Sequence, residues 1–184
     1  MSNQRTFVTS DLHFGHANIM KFCPVTRARY NGDVEFMNES MVQEWNALVS
    51  PEDVVYILGD VAFLPAQKAV NYLHRLNGSK ILIEGNHDRK LLNDKSFRQC
   101  FDEVTAYKRL MYQDTLIIMS HYPFLEWDQM HRGSLHFFGH VHGGTTGQEQ
   151  YRCMDVGMDA TGAIVVDIQT AIDRIKDNAI RGHH

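Results

Sequence analysis

The sequence predicts a mixed α/β sandwich whose sheets are covered by helices. Three observations carry that expectation. Strand-like and helix-like apolar patterns alternate through the first half, the second half is richer in short strand-like runs, and no linker, repeat or low-complexity stretch interrupts the 184 residues. A chain of this length suits one domain with a sizeable core and is short for two, so residues 1–184 are read as a single domain.

Each element has its own signal. Residues 6–9 are a short β-prone run that leads into a polar stretch, 10–18. Val34, Met37, Met41, Trp45 and Leu48 recur at three and four residues, the spacing of one helix face. Asp33, after Gly32, supplies an N-cap for this helix, and Pro51 marks its end. Residues 53–58 read as a buried strand closed by Gly59-Asp60. Ala66, Ala69, Val70, Leu73 and Leu76 form a second helical face, stopped by Asn77-Gly78. Residues 80–83 are the next strand. Residues 104–110, 115–119, 135–138, 151–156 and 163–167 follow as strands, and Ile168, Ala171, Ile172, Ile175 and Ala179 mark a closing helix. The final His183-His184 reads as native sequence or as a purification-tag remnant and carries no functional weight.

Composition removes several function classes. With 43% hydrophobic and 22% charged residues, the chain is globular and not disordered. No apolar run approaches the roughly 18 residues of a membrane span, and the N-terminus lacks the apolar core of a secretory signal. The 18 basic and 22 acidic residues leave a net charge of −4, which weighs against a dedicated duplex nucleic-acid surface but not against a small nucleotide substrate. Cys23, Cys100 and Cys153 are odd in number and widely spaced, so a reducing, cytoplasmic setting fits better than a disulfide framework. Histidine stands out, with 11 residues.

Five polar clusters each follow an apolar run: residues 11–16, Gly59-Asp60, Gly85-Asn86-His87-Asp88, Ser120-His121, and Gly139-His140-Val141-His142. Singly, each reads as a turn or a stray histidine. Together they point elsewhere, because loops beyond the carboxyl ends of neighbouring strands converge in α/β folds. Aspartate, histidine and asparagine without thiolates make a mixed nitrogen and oxygen set, suited to Mn²⁺, Fe, Ni²⁺, Co²⁺ or Zn²⁺. Seven or more such donors exceed what one small cation uses, but two cations sharing a carboxylate can use them. Paired metals are the usual device for hydrolysing phosphate esters.

These residues resemble the calcineurin-like metallophosphoesterase superfamily, whose pattern is D-x-H, G-D, G-N-H-D/E, a His, then G-H-x-H. Every element occurs in order from Asp11 to His142. The Asp-Leu-His-Phe-Gly-His opening and Trp45-Asn46 are similar to a compact subgroup found in bacteria and phages. Residues 21–33 and the tail after Val156 carry no motif of the superfamily. The resemblance implies a four-layer α/β/β/α sandwich with mixed sheets and two divalent metal ions, manganese first. It implies that Asp11, His13 and His142 bind one metal, that Asn86, His121 and His140 bind the other, and that Asp60 bridges them. His87 would face the substrate, and Asp88 would orient His87 or support the loop. The implied reaction is in-line attack on phosphorus by a metal-bridging hydroxide, with His87 offsetting charge and protonating the leaving oxygen.

The leading expectation is therefore a phosphodiesterase for a small nucleotide-like diester. A nuclease, a phosphomonoesterase or protein phosphatase, and a non-catalytic binding scaffold stand behind it. Substrate contacts are expected on the approach to the metals. His16 and Asn18 lie there, Arg27 and Arg29 sit on the stretch that follows, and Arg89 is a rival on the opposite rim. The alternative for residues 20–33 is a solvated connector with two surface arginines.

Overall fold

The computed structural model describes residues 4–182; the closing His183-His184 lies outside the described residues. Among the described residues, nine strands and seven α-helices follow one another in chain order: β1 (Thr6–Thr9), α1 (Ile19–Phe22), α2 (Pro24–Arg27), α3 (Val34–Leu48), β2 (Val54–Ile57), α4 (Ala66–Leu73), β3 (Ser79–Ile83), α5 (Lys95–Arg98), β4 (Glu103–Thr105), β5 (Lys108–Tyr112), β6 (Thr115–Met119), β7 (Leu135–Phe138), β8 (Cys153–Asp155), α6 (Met158–Thr161), β9 (Val166–Asp167) and α7 (Ile168–Ile175).

The strands form two mixed sheets. One has the order β4-β3-β2-β1-β9, with the first four strands parallel and β9 antiparallel to β1. The other has the order β5-β6-β7-β8, antiparallel at β5-β6 and parallel beyond. In register, Thr9 pairs with Ile57 and Ile57 with Leu82, so β1, β2 and β3 end level with one another.

Alternation along the strands builds two cores. Phe7, Val55, Ile57 and Leu82 point to one side of the first sheet and pack with Met37, Met41 and Trp45 of α3 and Val70 and Leu73 of α4. Val8, Tyr56, Leu58 and Ile83 point to the other side and meet Ile117, Met119, Leu135 and Phe137 of the second sheet. Ile118 and Phe138, on that sheet's far face, are covered by Trp127 and Met130. Asp33 caps α3 as its position suggests, its carboxylate accepting from the Glu35 and Phe36 amides at 3.0 Å.

Four stretches differ from the sequence reading. Residues 104–110 are not one strand: the chain leaves the first sheet after Thr105 and enters the second at Lys108. Apolar pattern alone cannot see such a crossing, because both halves look strand-like. The runs at 151–156 and 163–167 shorten to three and two paired residues. The stretch 20–33 is largely helical turns, α1, α2 and a 3-10 turn at Ala28–Tyr30. Among the described residues, no helix is long and apolar enough to cross a membrane.

Candidate metal centre

The polar clusters follow the carboxyl ends of β1, β2, β3, β6 and β7. Past the last paired residues, the first two chains stay in step. The Asp11 amide donates to the Gly59 carbonyl and the His13 amide to the Asp60 carbonyl, both at 3.0 Å. Asp11, His13, Asp60, His140 and His142 all adopt positive φ, between 49° and 71°. That region disfavours residues with side chains, and such outliers gather where structure serves a site. Here the left-handed residues turn the side chains of several loops into one hollow. Gly59 has no alternative: at φ 93° a Cβ would fall 2.6 Å from both the Gly85 Cα and His121 Nδ1.

Among the described residues, three groups could hold a cation; two of them, Asp11-His13-His142 and Asp11-Asp60-His121, face this hollow, and the third, Cys23-His142-Asp159, lies behind His142. Asp60 faces both ways. Its Oδ2 lies 3.8 Å from His13 Nε2 and its Oδ1 lies 3.7 Å from His121 Nε2. Asn86 Oδ1 is 2.8 Å from the same His121 nitrogen. The His140 ring stands 5.1 Å from that of His121, outside both triads. Asp11 Oδ1 and His13 Nε2 are buried and have no hydrogen-bond partner. They lie 3.7 Å apart, and His142 Nε2 is also 3.7 Å from Asp11 Oδ1. Buried polar atoms are rarely left this way, so converging lone pairs fit a cation.

The outer contacts set which nitrogen faces inward. The Leu58 carbonyl and the Asp159 carboxylate only accept, so His121 Nδ1 and His142 Nδ1 carry protons toward them, at 2.7 and 2.8 Å. That leaves Nε2 as the nitrogen each ring turns toward the hollow. Burial pushes the Asp11 carboxyl up, but the neighbouring His13 ring and the charges of His142 and His121 outweigh burial and hold it below the ordinary range. Burial pushes His13 down. His142 is pushed the same way by burial, yet Asp159 and Asp11 win and raise it.

The remaining candidates sort by position. His87 is half exposed, with Nε2 3.9 Å from Asp60 Oδ2. Asp88 does not orient it. The Asp88 carboxylate is spent on the backbone amides of Asp60, Val61 and Gly85, each at 2.9 Å, so it ties the second loop to the third. His16 reaches the centre: its ring stacks on Phe63 at 4.1 Å, and burial with the charges of His13 and His87 lowers its pKa to about 4. Asn18 is exposed at the start of α1, where its carbonyl accepts from Lys21 and Phe22. Arg89 is exposed on the rim beside Asn86 and His121.

Arg27 and Arg29 are corrections. Arg27 is fully buried, its guanidinium spent on Asp159 and on the carbonyls of Asp11 and Leu12. It braces the floor and has no donor left for a substrate. Arg29 pairs with Glu44 at 2.9 Å and bonds the Tyr30 hydroxyl, away from the centre.

Two residues were not expected. Asp159 holds His142, Arg27 and Thr26 together. Phe63 lies 5.1 Å from the His13 ring and 4.5 Å from that of His87. The sequence marks Asp159 only as a carboxylate after a strand, and Phe63 only as an aromatic three residues past Asp60.

No family model matches the chain. An uncharacterized protein of Methanocaldococcus jannaschii is 42% identical over 91 residues, 48% of this chain and 49% of that protein, so the match spans about half the relative's length. The gene 66 protein of Mycobacterium phage L5 is 28% identical with 90% of each chain covered. A crystal structure of a protein of unknown function from Aquifex aeolicus shares the fold, with a TM-score of 0.72 at 23% identity, covering 94% of this chain and 99% of that one.

Proposed function

We propose that the protein is a metal-dependent phosphoric ester hydrolase of the metallophosphoesterase type, a phosphodiesterase for a small nucleotide-like diester. The observation that carries this reading is the pair of buried, unpartnered atoms, Asp11 Oδ1 and His13 Nε2, beside His142 Nε2 and Asp60. A carboxylate oxygen buried without a partner costs several kcal/mol (about 1–3 or more), and a cation removes that cost.

On this reading Asp11, His13 and His142 hold one cation, Asn86, His121 and His140 hold another, and Asp60 lies between them. The donor set favours Mn²⁺, with Fe, Ni²⁺, Co²⁺ or Zn²⁺ behind it. Two such cations supply an activated water and positive charge for the phosphoryl oxygens. His87 faces the ester, holds its developing negative charge and gives a proton to the leaving oxygen. Its support is position, close to Asp60 yet half exposed and outside both triads. The same reading makes the whole chain one domain with a four-layer α/β/β/α order, supported by α3 and α4 covering one face of the first sheet and the second sheet covering the other. It places the chain in a reducing cytoplasm, supported by three free cysteines.

The test is to load the full chain with Mn²⁺, count the bound metal by elemental analysis, and compare hydrolysis of bis(p-nitrophenyl) phosphate with p-nitrophenyl phosphate. About two ions per chain and faster diester hydrolysis are expected. Asp60→Asn should lose metal and activity together. Two ions held tightly by that variant would remove Asp60 as the bridge, and preference for the monoester would make the protein a phosphomonoesterase.

A further inference from the structure

The loop after Asp60 and the loop after His87 flank an open cavity of about 970 Å³ beside the candidate centre. Small-molecule sites run to roughly 300–1,000 Å³, so this one is large enough for an organic ligand and far larger than a phosphate group needs. Asn86 and His87 form the end nearest the centre. Phe63, Leu64 and Leu91 supply apolar wall, and Arg89 and Lys90 stand at its edge.

Phe63 joins the cavity to the centre. It touches His13, His16 and His87 through its ring, yet remains 37% exposed. An aromatic left partly open beside converging histidines offers a stacking face. Of the residues lining the cavity, Asp94 is the single carboxylate, and its Oδ1 accepts from the Ser96 and Phe97 amides at the start of α5. Arg89 meets an acid only at 3.6 Å, from Glu84, and its side chain is 82% exposed. The cavity thus combines an apolar, aromatic wall with two cations and one carboxylate already engaged.

We infer that this cavity receives the organic group of the phosphoester and that this group is a nucleoside, so that the ligand is a nucleotide. Its base packs against Phe63, Leu64 and Leu91, and Arg89 and Lys90 meet the negative charge of its phosphate. Stacking accepts any base, because every base has a π face. The ligand's role as substrate rests on the phosphoesterase reading; the cavity's chemistry does not.

Calorimetry on the metal-loaded full chain can compare adenosine 5′-monophosphate with ribose 5-phosphate, which keeps the phosphate and lacks the base. The base should add about tenfold or more in affinity. Leu64→Glu puts a carboxylate into the apolar wall and should erase that preference. Phe63→Leu keeps the bulk, removes the aromatic face and should reduce it, which covers the case where the glutamate variant fails to fold. Arg89→Ala with Lys90→Ala should weaken the nucleotide and flatten its salt dependence. Equal affinities for the two ligands, or a base preference untouched by Phe63→Leu, would overturn the assignment. Hydrolysis of bis(p-nitrophenyl) phosphate in the same wild-type preparation separates the two ideas. A chain that cleaves it without base preference loses the cavity assignment alone. A chain with base preference and no hydrolysis of either aryl ester loses the phosphoesterase reading alone.

Discussion

Arg27 and Asp159 form a buried two-pronged ion pair beneath the candidate metal centre, with Nε and Nη2 each 2.8 Å from a carboxylate oxygen. The pair joins α2 to α6, and through Asp159 it reaches Nδ1 of His142. The same guanidinium holds the carbonyls of Asp11 and Leu12, so one side chain braces both sides of the first triad.

Arg27→Met should therefore cost stability. It leaves a buried carboxylate without its cation, an imbalance typically worth about 3–5 kcal/mol. Urea unfolding monitors it. Arg27→Lys keeps the charge, loses the fork and should fall between the two. A variant of normal stability with a raised KM would return Arg27 to the substrate side.

Asp159→Asn should act on metal binding. The carboxylate fixes the Nδ1 proton of His142 and turns Nε2 inward. Losing such support typically lowers metal affinity about 10–100-fold. Competition with a chelating dye reads the affinity, and nitrogen NMR of the His142 ring reads the tautomer. Wild-type affinity with an unchanged tautomer would make Asp159 a brace for Arg27 only.

His87→Ala should keep the bound metal while kcat drops by about 10²–10⁴, more for alkyl than for aryl leaving groups. Elemental analysis and steady-state kinetics on the two ester types decide it. Loss of metal with equal loss on both substrates would assign His87 a structural role.

His136, in β7, gives a pH prediction away from the centre. Its Nδ1 donates to the Ile118 carbonyl and its Nε2 accepts from the Phe124 amide, both at 3.1 Å, so the folded ring must be neutral. Burial pushes its pKa down to about 4. The unfolded chain binds the proton more readily, near pH 6.5. Its stability contribution is whole above that pH and is lost as pH falls toward 4, roughly 3 kcal/mol in all. Denaturant unfolding between pH 4 and 7 should show this slope, and His136→Gln should flatten it. An equal slope in the variant would assign the titration to another group.

Much of the fold was legible because it rests on local pattern. The α3 stripe from Val34 to Leu48, its Asp33 cap and the apolar runs of β1, β2, β3, β6 and β7 could be read from residue spacing. The switch of sheets between Thr105 and Lys108 could not, because pairing partners are chosen across the whole chain and leave no mark in a seven-residue window.

The site divides the same way. Asp11, His13, Asp60, Asn86, His87, His121, His140 and His142 stood out in the sequence because few residue types carry donor atoms of this kind and each cluster follows a strand. Tertiary structure alone decided that Arg27 turns inward to Asp159, that Asp88 ties backbone amides, and that Phe63 lies among three histidines. An arginine in a polar stretch reads as exposed until a buried carboxylate, 132 residues away in the chain, is found to lie within 2.8 Å of it. Whether a charged side chain meets solvent or a partner depends on which distant groups folding brings near, since desolvating the charge is favourable only where an opposite charge is waiting.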